Sequence, residues 1–157
     1  MSVSKIKATV FSQEQLASDV FSMWLEVGNM ASEAKPGQFI SVYSNDDSKL
    51  LPRPISICEI DKENGSLRIV YRVVGYGTKE FSGYKAGDTL EIMGPLGNGY
   101  TLKKNKAILV AGGIGVPPML ELAKELDCEK TIVLGYRDEL FLNKEFEQYG
   151  KVVIATE

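Results

Sequence analysis

A chain of 157 residues, 44% hydrophobic and 25% charged, has room for one domain or two small ones with real cores, and no stretch is long and apolar enough to span a bilayer as a helix. A net charge of −3 with acids and bases interspersed excludes the basic stripe of a nucleic-acid binder and the polybasic patch of a lipid-surface protein. With two cysteines and no histidine, the chain lacks a disulfide framework, a four-sulfur metal set and the usual general base at neutral pH, so an enzyme of this composition leaves its chemistry to a cofactor.

Residues 1–5 carry one lysine and no apolar core or small-residue cleavage site, so they do not read as a secretion signal, and a cytoplasmic location is the default expectation. Up to about Tyr100, short β-rich runs at residues 5–11, 20–27, 38–43, 54–60, 66–74 and 89–93 alternate with turn chemistry such as Lys35-Pro36-Gly37 and Ala86-Gly87-Asp88. That spacing predicts an antiparallel barrel or sandwich. Residues 78–84 break the rhythm as a short helix, with Thr78 as its N-cap.

Past the polar stretch 101–105 the pattern changes. Residues 107–111 form an unbroken apolar run, suited to a parallel strand buried on both faces. A glycine-rich turn, a helix at 118–126, a strand at 131–136, a helix at 142–149 and a strand at 151–155 complete β-α-β-α-β, half of a doubly wound sheet. The expected division is a barrel domain over residues 1–100 and the first half of a nucleotide-binding α/β domain over 101–157. Because such a sheet places its first strand beside a fourth, the strand at 107–111 would keep an unpaired apolar edge, and the chain reads as truncated.

Three segments and one residue carry candidate chemistry. Arg53-Pro54-Ile55-Ser56 puts a cation and a hydroxyl three positions apart on one strand, hence on opposite faces, a spacing that suits a long cofactor with an anionic tail: arginine for a phosphate, serine for a ring nitrogen. Taken alone it also reads as a surface charge and an ordinary strand serine. Val70-Tyr71-Arg72 followed by Gly75-Tyr76-Gly77-Thr78 offers an aromatic for ring packing and glycines that let backbone approach a phosphate, or, equally, ordinary strand and turn residues. Gly112-Gly113-Ile114-Gly115-Val116-Pro117-Pro118, between a buried strand and a helix, would clear space for a pyrophosphate at a helix N-terminus. Asp138, at the end of the second α/β strand, would accept from a ribose 2′-hydroxyl and repel a 2′-phosphate, favouring NAD over NADP, with Arg137 arguing the other way. Cys58 and Cys128 read as small buried apolar residues.

In this order the segments resemble the ferredoxin-reductase superfamily: a Greek-key flavin-binding barrel followed by a pyridine-nucleotide domain. Arg53-Pro54-Ile55-Ser56 is similar to that family's Arg-x-Tyr-Ser flavin motif, with isoleucine where an aromatic usually stands. Leu51-Pro52-Arg53-Pro54-Ile55-Ser56, Val70-Tyr71-Arg72, Gly75-Tyr76-Gly77-Thr78, Met93-Gly94-Pro95-Leu96-Gly97-Asn98-Gly99 and the glycine-rich turn together look most like the electron-transfer subunits of NAD-linked dihydroorotate dehydrogenases. The resemblance implies FAD against Arg53, Pro54, Ile55, Ser56, Val70, Tyr71, Arg72, Gly75, Gly77 and Thr78, and NAD as electron acceptor near Gly112, Gly113, Gly115 and Asp138. It further implies a [2Fe-2S] cluster in the full-length protein, which neither Cys58 nor Cys128 matches, and an FMN-containing dihydroorotate-oxidising catalytic subunit as partner. An NAD(P)H-ferredoxin or sulfide oxidoreductase subunit shares these motifs. A β-barrel interaction module without catalysis is the rival from another class.

Overall fold

The computed structural model describes residues 2–49 and 51–157; Met1, the first of the residues read as carrying no secretion signal, and Leu50 lie outside it. Six antiparallel strands, β1 (Ser4–Ala17), β2 (Val20–Glu26), β3 (Phe39–Val42), β4 (Arg53–Asp61), β5 (Ser66–Arg72) and β6 (Thr89–Leu96), close into a barrel of order β1-β2-β5-β4-β3-β6. β1 makes closure possible. Its first half pairs with β6 and its second half with β2, and register shifts between Val10 and Ser12 and between Gln15 and Ala17 bend it round the barrel. Alternate residues point inward, so Met23, Leu25, Ile40, Val42, Ile55, Ile57, Leu67, Ile69, Leu90 and Ile92 form the interior.

Two short helices accompany the barrel: α1 (Met30–Glu33), which the sequence pattern did not suggest, and α2 (Gly75–Phe81). Phe81 of α2 enters the interior and meets Tyr71 edge-on with ring centroids 6.3 Å apart. The predicted N-cap is corrected: α2 starts at Gly75, three residues before Thr78, and Val74 is the capping position. The Thr78 hydroxyl instead reaches back to Val74, accepting from its N–H and donating to its carbonyl, both at 2.7 Å, the way a residue one turn inside a helix ties down the start of that helix.

The second layer is a parallel sheet of order β7-β8-β9, formed by β7 (Ala107–Gly112), β8 (Lys130–Tyr136) and β9 (Lys151–Thr156), with α3 (Met119–Glu125) and α4 (Asn143–Phe146) in the crossovers. α4 is a single turn where eight helical residues were expected. Leu142, buried and held at φ +64°, stops the helix from extending backwards. Leu109, Leu120, Ile132, Leu134 and Phe146 pack together with Val20, Cys58 and Val70 from the barrel wall, so the second core is shared between the two layers.

The expectation that β7 is buried on both faces is overturned. Leu109 is 8% exposed, but Ile108 and Val110 are 72% and 70% exposed. Successive crossovers of one hand along a sheet that grows in one direction set both helices on one face, and no described element covers the other. No helix among the described residues is long and apolar enough to cross a membrane.

Candidate cofactor site

At the mouth of the barrel, next to α2, a cleft of about 400 Å³ is lined by Arg53, Pro54, Ile55 and Ser56 from β4, Val70, Tyr71 and Arg72 from β5, and Val74, Thr78 and Ile114. Strand parity explains the β4 contribution. Ile55 and Ile57 point into the barrel while Pro54 and Ser56 point out, so Arg53 and Ser56 leave the strand on opposite sides and meet the cleft where it wraps around the barrel end. Arg53 lies along α2 at Gly77, where a Cβ would sit 3.2 Å from its Nε and 3.3 Å from its Cγ. Glycine at 77 is therefore the cradle for this side chain. Among the described residues no carboxylate forms an ion pair with Arg53, which leaves an exposed cation facing the cleft.

Tyr71 lines the cleft but is almost wholly buried. The residue is 2% exposed, its ring is stacked near Phe21 at 6.1 Å, and its hydroxyl donates to Gln13 Oε1 at 2.6 Å. Burial raises the phenol above its ordinary pKa and keeps it protonated. Gln13 in turn donates to the carbonyls of Phe81 and Tyr84 at 2.9 and 2.8 Å. The expected role in ring packing is thus replaced by a structural one: Tyr71 has inward parity on β5, and through Gln13 it moors the C-terminal end of α2. Thr78 is similarly committed, since its single hydroxyl proton goes to Val74. A network on the other side of α2 completes the support. Burial alone would raise the carboxyl of Glu80, but hydrogen bonds from Ser44, Tyr84 and the Asn45 N–H outweigh it and hold the group below its ordinary value.

A second cleft, of about 370 Å³, adjoins the first. Gly113, Ile114, Arg137, Asp138 and Glu139 line it from the carboxyl ends of β7 and β8, and Ser18, Asp19 and Arg72 line it from the barrel. Open sheets of this kind bind ligands at that end. Gly113 has φ +55° and begins a 3-10 turn ending at Gly115, and nothing stands within 4 Å of where a Cβ would be on either glycine. Gly112 ends β7 with exposed backbone. Asp138 is exposed at the rim, while Arg137 pairs with Glu157 at 3.7 Å. Arg72 and Ile114 line both clefts, so the two share a wall. Gly75, at the start of α2, is exposed, and neither cleft has it in its lining.

Several residues of the site escaped the sequence reading. Asp19 accepts from Arg72 Nη1 at 3.0 Å, and Glu139 accepts from the Ser18 N–H and hydroxyl, which hold its carboxyl below the ordinary value. Arg68 is the deeper omission: a guanidinium 6% exposed in a strand whose neighbours are almost all apolar. A lone arginine inside the run from Leu67 to Tyr71 was the available signal, because a charge enters such a strand only with partners. Cys58 is the extra residue of a bulge between Ile57 and Glu59 and is completely buried, with its thiol pushed far above the ordinary range by burial. Cys128 packs against the second core. Among the described residues no group of three or more potential ligands converges on a metal position, and these two cysteines do not fit a cluster.

The family model for the oxidoreductase FAD-binding domain matches residues 7–100. Among curated proteins, the dihydroorotate dehydrogenase B (NAD(+)) electron transfer subunit of Streptococcus mutans is 44% identical over 99% of this chain and 63% of its own length. That of Streptococcus pneumoniae is 45% identical over 94% of this chain and 61% of its own. The chain thus spans a little over three-fifths of the curated relatives it matches. Among solved structures, an NADH-dependent reduced ferredoxin-NADP oxidoreductase superposes with a TM-score of 0.87 at 30% identity, over 95% of this chain and 56% of that one. A barrel with the Arg53 cleft at its mouth and a domain model matched over more than half its residues make this chain a member of the oxidoreductase FAD-binding domain family.

Proposed function

We propose that the cleft beside α2 holds FAD and that the adjoining cleft receives NAD, the two meeting at Arg72 and Ile114. The observation that carries this reading is the convergence on one cleft of the Ser56 hydroxyl and of Arg53, which has no ion-pair partner among the described residues and lies along Gly77. Arg53 would grip the diphosphate by charge-assisted hydrogen bonds, and Ser56 would donate to a ring nitrogen. Pro54, Ile55, Val70 and Tyr71 would supply the strand backbone against which the ring lies. Thr78 lines the cleft, and its backbone would approach the phosphates, while Gly77 makes room for Arg53 and Gly75 stands outside the lining. In the neighbouring cleft Gly113 would leave room for a pyrophosphate, with Gly112 and Gly115 beside it in the chain but outside the lining, and Asp138 would accept from the adenosine ribose. Bound FAD would supply hydride and single-electron exchange, which no side chain here provides. The protein's part is to orient two cofactors and exclude water between them.

For the whole protein, the likeness to dihydroorotate dehydrogenase B electron transfer subunits at 44–45% identity supports a role in passing electrons from a dihydroorotate-oxidising, FMN-containing catalytic subunit to NAD in pyrimidine biosynthesis, in the cytoplasm. A [2Fe-2S] centre of such a subunit would draw its ligands from outside these residues. The likeness to an NADH-dependent ferredoxin-NADP oxidoreductase at 30% identity supports the second reading, the same flavin site serving a ferredoxin-type partner. An anaerobic titration of the FAD-loaded full-length protein tests the reading of the two clefts. NADH should bleach the flavin absorbance at far lower concentration than NADPH, because Asp138 opposes a 2′-phosphate. Equal response to both would remove Asp138 from the proposed role, and no response to either would refute the pairing of the clefts.

A further inference from the structure

The contact between the barrel and the α/β layer has a consistent polarity: glutamate side chains of the α/β layer accept from donors of the barrel. Glu121 of α3 accepts from the Ile60 N–H at 2.7 Å, Glu139 from the Ser18 N–H at 3.1 Å, and Glu145 of α4 from Arg68 Nη1 and Nη2 at 2.6 and 3.3 Å. Arg68 is the most constrained donor. Its Nε donates to Ser22 Oγ at 2.8 Å and its Nη1 also to Glu59 at 2.6 Å, so the guanidinium is anchored in the barrel and extends one arm to the other layer.

Arg68, Val70 and Arg72 alternate along the outward face of β5. Arg68 meets α4, Val70 packs into the shared core, and Arg72 stands in the wall between the clefts. The apolar part of the interface, Val20, Cys58 and Val70 against α3 and β7, is non-directional and tolerates small rotations. A two-point guanidinium–carboxylate contact is directional. Arg68 and Arg72 are four residue steps apart along the strand, a lever of about 13 Å. A rotation of about 5° on it displaces the far end by about 1 Å, a misplacement that can cost a transfer reaction up to about 100-fold.

We infer that the Arg68–Glu145 pair is a positioning contact that sets the angle between the two clefts and hence the approach of nicotinamide to flavin. The inference rests on the reading of those clefts as FAD and NAD sites. Glu145→Gln in the full-length FAD-loaded protein isolates the arm, since Arg68 keeps Glu59 and Ser22. It should retain a full complement of FAD and bind NADH within about threefold of the parent, while the limiting rate of flavin bleaching at saturating NADH falls about tenfold or more. Amide exchange at Ile60 and over residues 143–146 should quicken in the same variant. Glu145→Asp, one methylene shorter, should fall between, and Glu129→Gln, an equal charge loss at the exposed Lys106–Glu129 pair, should leave the rate unchanged. A folded Glu145→Gln protein with the parental limiting rate and exchange pattern would overturn the inference; if that variant does not fold, Glu145→Asp at the parental rate overturns it. A parent that holds no FAD or is not bleached by NADH overturns the reading of the clefts themselves, a result distinct from a parent that is bleached and variants that do not differ from it.

Discussion

Gly77 and Arg53 are coupled in a way that separates stability from binding. A Cβ at position 77 would crowd Arg53 at 3.2 Å, yet alanine is the better helix residue by up to about 1 kcal/mol. Gly77→Ala should therefore leave the melting temperature unchanged or raised, while the displaced guanidinium lowers FAD affinity about tenfold, the worth of one charge-assisted hydrogen bond. Fluorescence titration with FAD beside a thermal melt reads both, and an unchanged affinity would show that Arg53 has room to move. At this scale residue type was legible where chemistry is intrinsic: a cation and a hydroxyl three apart on a strand marked Arg53 and Ser56 as candidates, and both line one cleft. What the residues could not reveal is direction. Tyr71 faces inward and Thr78 bonds to Val74 because of parity and helix phase, and those are settled by partners such as Gln13, 58 residues away from Tyr71.

Element boundaries followed from apolar spacing to within a few residues for most strands, and the departures have local causes. β1 runs on to Ala17 because bulges let one strand serve two neighbours, and a bulge is invisible to a two-residue period. β5 shows no alternation because it is covered on both faces, by the barrel interior and by the α/β layer. α3 carries a prediction of its own. Glu121 is 3% exposed, and burial, reinforced by hydrogen bonding with Glu125, pushes its carboxyl from 4.5 up to about 8. Between those values the folded chain holds a proton that the unfolded chain has released, so this group makes stability fall as pH rises through that window and adds no slope above it. The carboxyls of Asp46, Asp61, Glu80 and Glu139 are lowered instead, and their contributions are lost only at pH values below the window. Glu121→Gln keeps an acceptor for the Ile60 N–H and removes the titration. Its Tm should vary less with pH across that window than the parent's and exceed it by a few degrees above pH 8, at about 2–4 °C per kcal/mol for a chain of this size. Parallel Tm curves for the two proteins would contradict the assignment.

As a whole the molecule is a barrel with a thin α/β layer docked on one wall, and the docking creates both clefts. Neither cleft belongs wholly to one layer: Ile114 reaches into the cleft at the barrel mouth, and Ser18, Asp19 and Arg72 of the barrel complete the adjoining one. The two architectures were legible from the change of hydrophobic rhythm near residue 101. Their mutual orientation was not, because it depends on Arg68, Glu121, Glu139 and Glu145, charges whose meaning appears only when the layers meet. The exposure of Ile108 and Val110 was not legible for a related reason, since an apolar run does not say on which face the crossover helices pack. The central claim is that Arg53 at the barrel mouth holds the diphosphate of FAD, and its most direct test is an equilibrium titration of flavin-free protein with FAD, parent beside Arg53→Ala. The account predicts one FAD per chain for the parent, with affinity about 10- to 100-fold weaker in the variant, as expected when charge-assisted bonds to a phosphate are removed. A parent that remains colourless in excess FAD, or a variant that binds as tightly as the parent, would contradict it.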